Sequence, residues 1–104
     1  MITVTFTEGE KLSLRLEGHA GYAEHGKDIV CASASILAYT VAQYVKLAHE
    51  NGEFKATPEI VLNGGDAFVC CEHTEDAKKM FEFAELGYQL LKYNYPQYVR
   101  LNES

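Results

Sequence analysis

Apolar and polar residues alternate strictly at the start of the chain. Ile2, Val4 and Phe6 are interleaved with Thr3 and Thr5, the two-residue period of a half-buried strand. Thr7-Glu8-Gly9-Glu10 reads as a turn. Leu12, Leu14 and Leu16 then alternate with Ser13, Arg15 and Glu17, so the two runs predict a hairpin. The period changes after a glycine-punctuated stretch at 18–27. From Ile29 the chain is densely apolar and of helical length, with Asp28 placed as N-cap and Asn51-Gly52 as the stop. Polar residues become frequent only from Thr40 on, which predicts a first half buried nearly all round. Ile60-Val61-Leu62 and Ala67–Glu72 flank Asn63-Gly64-Gly65-Asp66, a strong tight-hairpin signal. Thr74 is positioned to cap a second helix, with Glu75 and Asp76 in its first turn, where the helix dipole favours acids.

That second helix carries two apolar stripes. Ala77, Met80, Phe81, Ala84, Tyr88 and Leu91 share one face, and Phe83, Leu86 and Leu90 lie roughly opposite. One stripe is expected on a sheet. The other calls for a cover, either a second subunit or the Tyr-rich tail from Tyr93 to Leu101. The element order is strand, strand, helix, strand, strand, helix, with room for a short last strand at Tyr98 to Leu101. It predicts an α+β fold, an antiparallel sheet with helices packed against it.

Composition narrows this picture. A chain of 104 residues that is 47% apolar is enough for one small domain over residues 1–104, with one core. A net charge of −6, with nine basic residues scattered among fifteen acidic ones, argues against a direct nucleic-acid surface. The same charge suits a basic peptide partner. Three cysteines, two of them adjacent at Cys70 and Cys71, make a poor disulfide framework and fit a reducing cytoplasm. The first residues do not resemble a signal peptide, and no uninterrupted apolar run approaches the ~20 residues of a membrane span, so no membrane role is expected.

The chemistry concentrates between Gly18 and Leu37. His19 stands at the exit of a strand and Cys31 in the first turn of a helix, where a thiol nucleophile and its base can meet in space. Free N–H groups at a helix N-terminus favour an anion. Asp28 is assigned first to capping, and second to orienting an imidazole as the third member of a triad. The residues alone leave open that Cys31 is simply a small buried hydrophobe. A metal site built on His19, His25 and Cys31, completed by Cys70, Cys71 or His73, finds no zinc-ligand spacing and no CxxC pair to support it. No metal and no cofactor are expected. The glycines of 18–27 match no phosphate-binding pattern.

Gly18-His19-Ala20, a short loop, Gly26-Lys27-Asp28-Ile29-Val30-Cys31-Ala32 and Ser35 four residues past the Cys resemble the bacterial ribosomal-processing cysteine protease family, Prp. The element order resembles that family as well. Ser33 and Ala34 stand where small or apolar residues are expected, a mild departure that leaves His19 and Cys31 untouched. The resemblance implies a cysteine endopeptidase of the cytoplasm that forms homodimers. It removes an N-terminal extension from the precursor of large-subunit ribosomal protein twenty-seven during ribosome assembly. It further implies Cys31 as nucleophile, His19 as its base, supporting places for Asp28 and Ser35, and a substrate loop including Ala20, Gly21, Tyr22 and Gly26. Backbone N–H groups at the helix start, Cys31's own among them, are expected to hold the oxyanion. The competing reading is a non-enzymatic dimeric ribosome-assembly or scaffold protein with a buried structural Cys31.

Overall fold

The computed structural model describes residues 1–103. Strands β1 (Ile2–Glu8) and β2 (Lys11–Glu17) form the expected hairpin, with Val4 opposite Leu16 and Phe6 opposite Leu14. Helix α1 (Ile29–Glu50) follows the glycine-rich loop. Strands β3 (Glu59–Asn63) and β4 (Asp66–Glu72) form a second hairpin closed by the Asn63–Asp66 pair. Helix α2 (Glu75–Asn94) and strand β5 (Val99–Glu103) complete the chain. The sheet order is β3-β4-β2-β1-β5.

The four strands β3, β4, β2 and β1 are antiparallel throughout, as the two hairpins require. The short last strand exists, shifted slightly to Val99–Glu103. It joins the edge of β1 in parallel, Ile2 opposite Val99 and Val4 opposite Leu101, so the full sheet is mixed. The direction follows from α2, a crossover that returns the chain along its starting strand.

Side-chain alternation builds the core. Ile2, Val4, Phe6, Leu12, Leu14, Leu16, Ala67, Val69 and Cys71 point to the buried face, and Thr3, Thr5, Ser13, Arg15, Phe68 and Cys70 point away from it. The helices lie side by side on the buried face. From α2 come Ala77, Phe81, Ala84, Tyr88 and Leu91, five of the six residues read as its core stripe; Met80 sits at the margin, exposed. Phe6 meets Phe81 and Tyr88 edge to ring, with centroids 6.5 and 5.8 Å away.

Helix α1 differs from expectation. It buries one side only, through Val30, Ala34, Ala38, Val41, Ala42, Val45 and Ala48, and leaves Ile29, Ile36, Tyr39 and Leu47 exposed. A single sheet with helices on one face gives each helix an outer side. Counting its scattered polar residues, α1 is long and apolar enough to cross a membrane, but its face of small residues belongs to the core of this domain. The tail does not cover the second stripe of α2. It is occupied in β5, and Phe83, Leu86 and Leu90 stay 73%, 57% and 64% exposed.

Candidate active site

The site forms where β2 hands over to α1. At Gly18 the chain turns sharply with φ +88°, and a Cβ there would lie 2.6 Å from the Met1 carbonyl oxygen, so only glycine fits. The Gly18 N–H donates to the Gly65 carbonyl at 2.9 Å, binding this exit to the β3–β4 turn. His19 follows, its carbonyl accepting from the Met1 amino group at 2.7 Å and its ring exposed. Ala20 is buried and pins the loop into the core. Tyr22 packs edge-on against Tyr95 and Tyr98, with centroids 5.5 and 5.3 Å away.

Asp28 then gathers the loop and the helix. Its Oδ1 accepts from the Cys31 N–H at 2.8 Å, the capping bond expected from the sequence. Its Oδ2 accepts from the N–H groups of Tyr22 at 2.9 Å and Ala23 at 3.3 Å. Burial, the largest single influence, pushes this carboxyl up. The N–H groups of Cys31, Ala23, Tyr22 and Val30 together outweigh it and hold the group below its ordinary value of 3.8. Among the described residues no hydrogen bond joins Asp28 to His19, so the capping role stands and a triad-like contact is not made here.

Cys31 is half-buried and free, in the first turn of α1. It lines a cleft of about 460 Å³ together with His19, Gly21, Ala23, His25, Gly26, Asp28, Ala32 and Ser35. Cys31 is therefore not the sealed core thiol of the scaffold reading. Ser35, one turn further along α1, lines the cleft too. Cys31 and Ser35 also border a smaller recess of about 40 Å³ that reaches Tyr39, Asn63, Gly64 and Gly65. His19 and Cys31 share the cleft without a hydrogen bond between them among the described residues, an arrangement common in enzymes without substrate.

Six of the eight residues singled out from the sequence line this cleft: Cys31, His19, Asp28, Ser35, Gly21 and Gly26. Ala20 and Tyr22 do not. Each anchors the loop from behind. One expectation fails in part. The Cys31 N–H is committed to Asp28 Oδ1, and the Ala32 N–H to the Asp28 carbonyl at 3.0 Å, so neither is free to receive an oxyanion. His25, which the sequence offers only as a metal ligand, also lines the cleft. Among the described residues no group of three His, Cys, Asp or Glu is arranged to hold a metal.

The other two thiols lie apart, on opposite faces of β4. Burial, reinforced by Cys70 and Glu72, pushes the Cys71 thiol up to about 12. Burial also raises Cys70. Both are poor nucleophiles at neutral pH.

Comparison with known proteins bears on the family and the fold. The family described as cysteine protease Prp matches residues 1–100. The ribosomal processing cysteine protease Prp of Staphylococcus aureus is 30% identical over 108 aligned positions, which cover 98% of this chain and 98% of that protein. A crystal structure of the S. aureus protease with a covalently linked product peptide superposes with a TM-score of 0.80 at 27% identity, covering 100% of both chains. A second, with a substrate peptide, gives 0.72 at 25% identity, again over 100% of both. A thiol in a cleft at a helix N-terminus, the fold that carries it and a match from residue 1 to residue 100 point the same way, and the chain belongs to the ribosomal-processing Prp family of cysteine proteases.

Proposed function

We propose that this cysteine protease removes the N-terminal extension of the precursor of large-subunit ribosomal protein twenty-seven, with Cys31 as nucleophile and His19 as general base and acid. One observation carries the assignment. Cys31, a free thiol at a helix N-terminus, lines a cleft, and an imidazole lines the same cleft.

His19 takes the Cys31 proton, and the thiolate attacks the scissile carbonyl. The C–N bond then breaks as the imidazolium returns its proton to the leaving amine. A water, deprotonated by the same imidazole, attacks the thioester and releases the acid and the free thiol. The oxyanion draws its donors from groups other than the Cys31 and Ala32 N–H, which are occupied. Asp28 acts as a positioning residue, holding the turn of Cys31 and the loop at Tyr22 and Ala23 with one carboxylate. Ser35 supports the same wall of the cleft. The loop with Gly21 and Gly26 borders an extended peptide.

An acidic protein of net charge −6 complements a basic ribosomal protein. The S. aureus relatives carry a substrate peptide and a covalently linked product peptide. Three free thiols suit a reducing cytoplasm, where we place the reaction. The exposed stripe Phe83, Leu86 and Leu90 of α2, beside Ile36 of α1, is the surface we assign to a homodimer.

The experiment is incubation with the extended precursor and with its mature form, read by mass spectrometry. Loss of the extension at one bond, with the mature protein untouched, is expected. A precursor that stays intact while an unrelated basic peptide is cut would overturn the substrate assignment.

A further inference from the structure

We propose that Gly65, in the turn between β3 and β4, is a positioning residue for the His19 imidazole. The inference rests on His19 being the base. Gly65 is the second of two adjacent glycines in that turn, and the one of the pair with positive φ, +76°. A Cβ built on it would lie 2.8 Å from His19 Nε2 and 3.1 Å from Cε1. The imidazole therefore fills the space that a side chain at 65 would take. The Gly64 position, by contrast, has nothing within 4 Å of its Cβ.

The turn holds His19 at a second point. The Gly65 carbonyl accepts the Gly18 N–H at 2.9 Å, which fixes the main chain one residue before His19. Backbone and ring edge are thus set by the same residue, although 46 positions separate Gly65 from His19. Gly64 and Gly65 also border the small recess that contains Cys31 and Ser35. The turn therefore touches the surroundings of the thiol and the edge of the imidazole together. Nothing in Gly65 exchanges a proton. It acts by shape: with no side chain there, the ring can lie against the turn, and any side chain displaces it. The displaced atoms are the far end of an exposed side chain, so the ring yields and the fold survives.

Two substitutions separate strain from displacement. Gly65→Ala adds both a methyl group and an unfavourable φ. Gly65→Asn adds a side chain that tolerates left-handed backbone, so it isolates displacement. Gly52→Ala is the strain control: Gly52 has the same φ of +76° with nothing within 4 Å of its Cβ. With the extended precursor as substrate, Gly65→Asn is expected to lower kcat about tenfold or more, as misplaced catalytic groups do. KM should stay within about threefold of wild type. The acidic limb of the kcat/KM pH profile should shift, because the ring changes surroundings. Gly52→Ala should keep wild-type kcat. Gly65→Ala, which both displaces the ring and strains the turn, should lower kcat as well.

Wild-type kcat with an unshifted limb in Gly65→Asn overturns the inference. A His19→Ala variant parallel to these keeps the two claims apart. If it still cleaves, His19 is not the base and both fall; if it is inactive while Gly65→Asn is unimpaired, Gly65 alone loses its role.

Discussion

Asp28 shows how much one side chain can organise. Its carboxylate meets the N–H of Cys31 and those of Tyr22 and Ala23, so the thiol's turn and the loop before it share a single anchor. Asp28→Ala should cost about 0.5–2 kcal/mol in urea unfolding, the range for a lost N-cap, with activity falling alongside. The pH dependence has a definite sign. A carboxyl held below its ordinary value contributes stability that is complete above 3.8, the unfolded-chain value, and is lost as pH falls through the lower folded value. The gap between wild type and Asp28→Ala should accordingly narrow below pH 3.8. A gap that widens there would contradict the assignment. The thiols offer a second check. Alkylation at neutral pH, read by peptide mass spectrometry, should modify Cys31 first, with Cys71 protected by burial and Cys70 slowed by its raised thiol; equal rates at all three would count against Cys31. The cap was legible in sequence because a short acid precedes an apolar run. The bonds to Tyr22 and Ala23 were not, since they depend on how the loop folds back. The same blindness produced the oxyanion expectation: a free N–H at the helix start looks available until the cap is seen to occupy it.

The site depends on α1 being held firmly against its neighbours. The Tyr88 hydroxyl of α2 donates to the Ala34 carbonyl at 2.9 Å, within a turn of Cys31, and is buried. Burial pushes this phenol well above its ordinary value, so it donates throughout the working pH range. Next to it, a Cβ at Gly87 would lie 2.8 Å from a Leu37 methyl, which lets the helices approach closely. Tyr88→Phe should cost about 0.5–1.5 kcal/mol in urea unfolding, with the fold retained, because it removes one buried hydrogen bond; no loss would mean that the bond is not a tie between the helices. Strands, helices and both hairpins were readable because period-two and period-3.6 patterns are local. The α2 core stripe was readable for the same reason, except that Met80 falls at its margin. Burial of α1 was overread: a run of Ala, Ile and Leu marks apolar surface without saying whether a neighbour covers it. The parallel pairing of β5 with β1 joins the two ends of the chain, beyond the reach of any local pattern.

The molecule as a whole is a sheet with one helical face, and that face ends in uncovered apolar surface. Phe83, Leu86 and Leu90 cannot be enclosed by a tail already built into the sheet as β5. Light scattering after size exclusion should give the mass of two protomers, and Leu90→Glu should halve it by placing a charge in a desolvated interface. A wild-type monomer at micromolar concentration would remove the homodimer. Fold class and reaction chemistry were largely legible from the G-H-A…G-x-D-I-V-C-A resemblance, because His19, Asp28 and Cys31 sit on one continuous segment. The contribution of the β3–β4 turn was hidden: Gly65 reaches His19 only through the folded sheet. The central claim remains that a single thiol in the first turn of α1 cleaves the precursor. Its most direct measurement is kcat/KM on the extended ribosomal precursor for wild type and Cys31→Ala, with thermal unfolding run in parallel. Cleavage lost in Cys31→Ala with the unfolding transition retained is the predicted result; a folded Cys31→Ala protein that cleaves at the wild-type rate would contradict it.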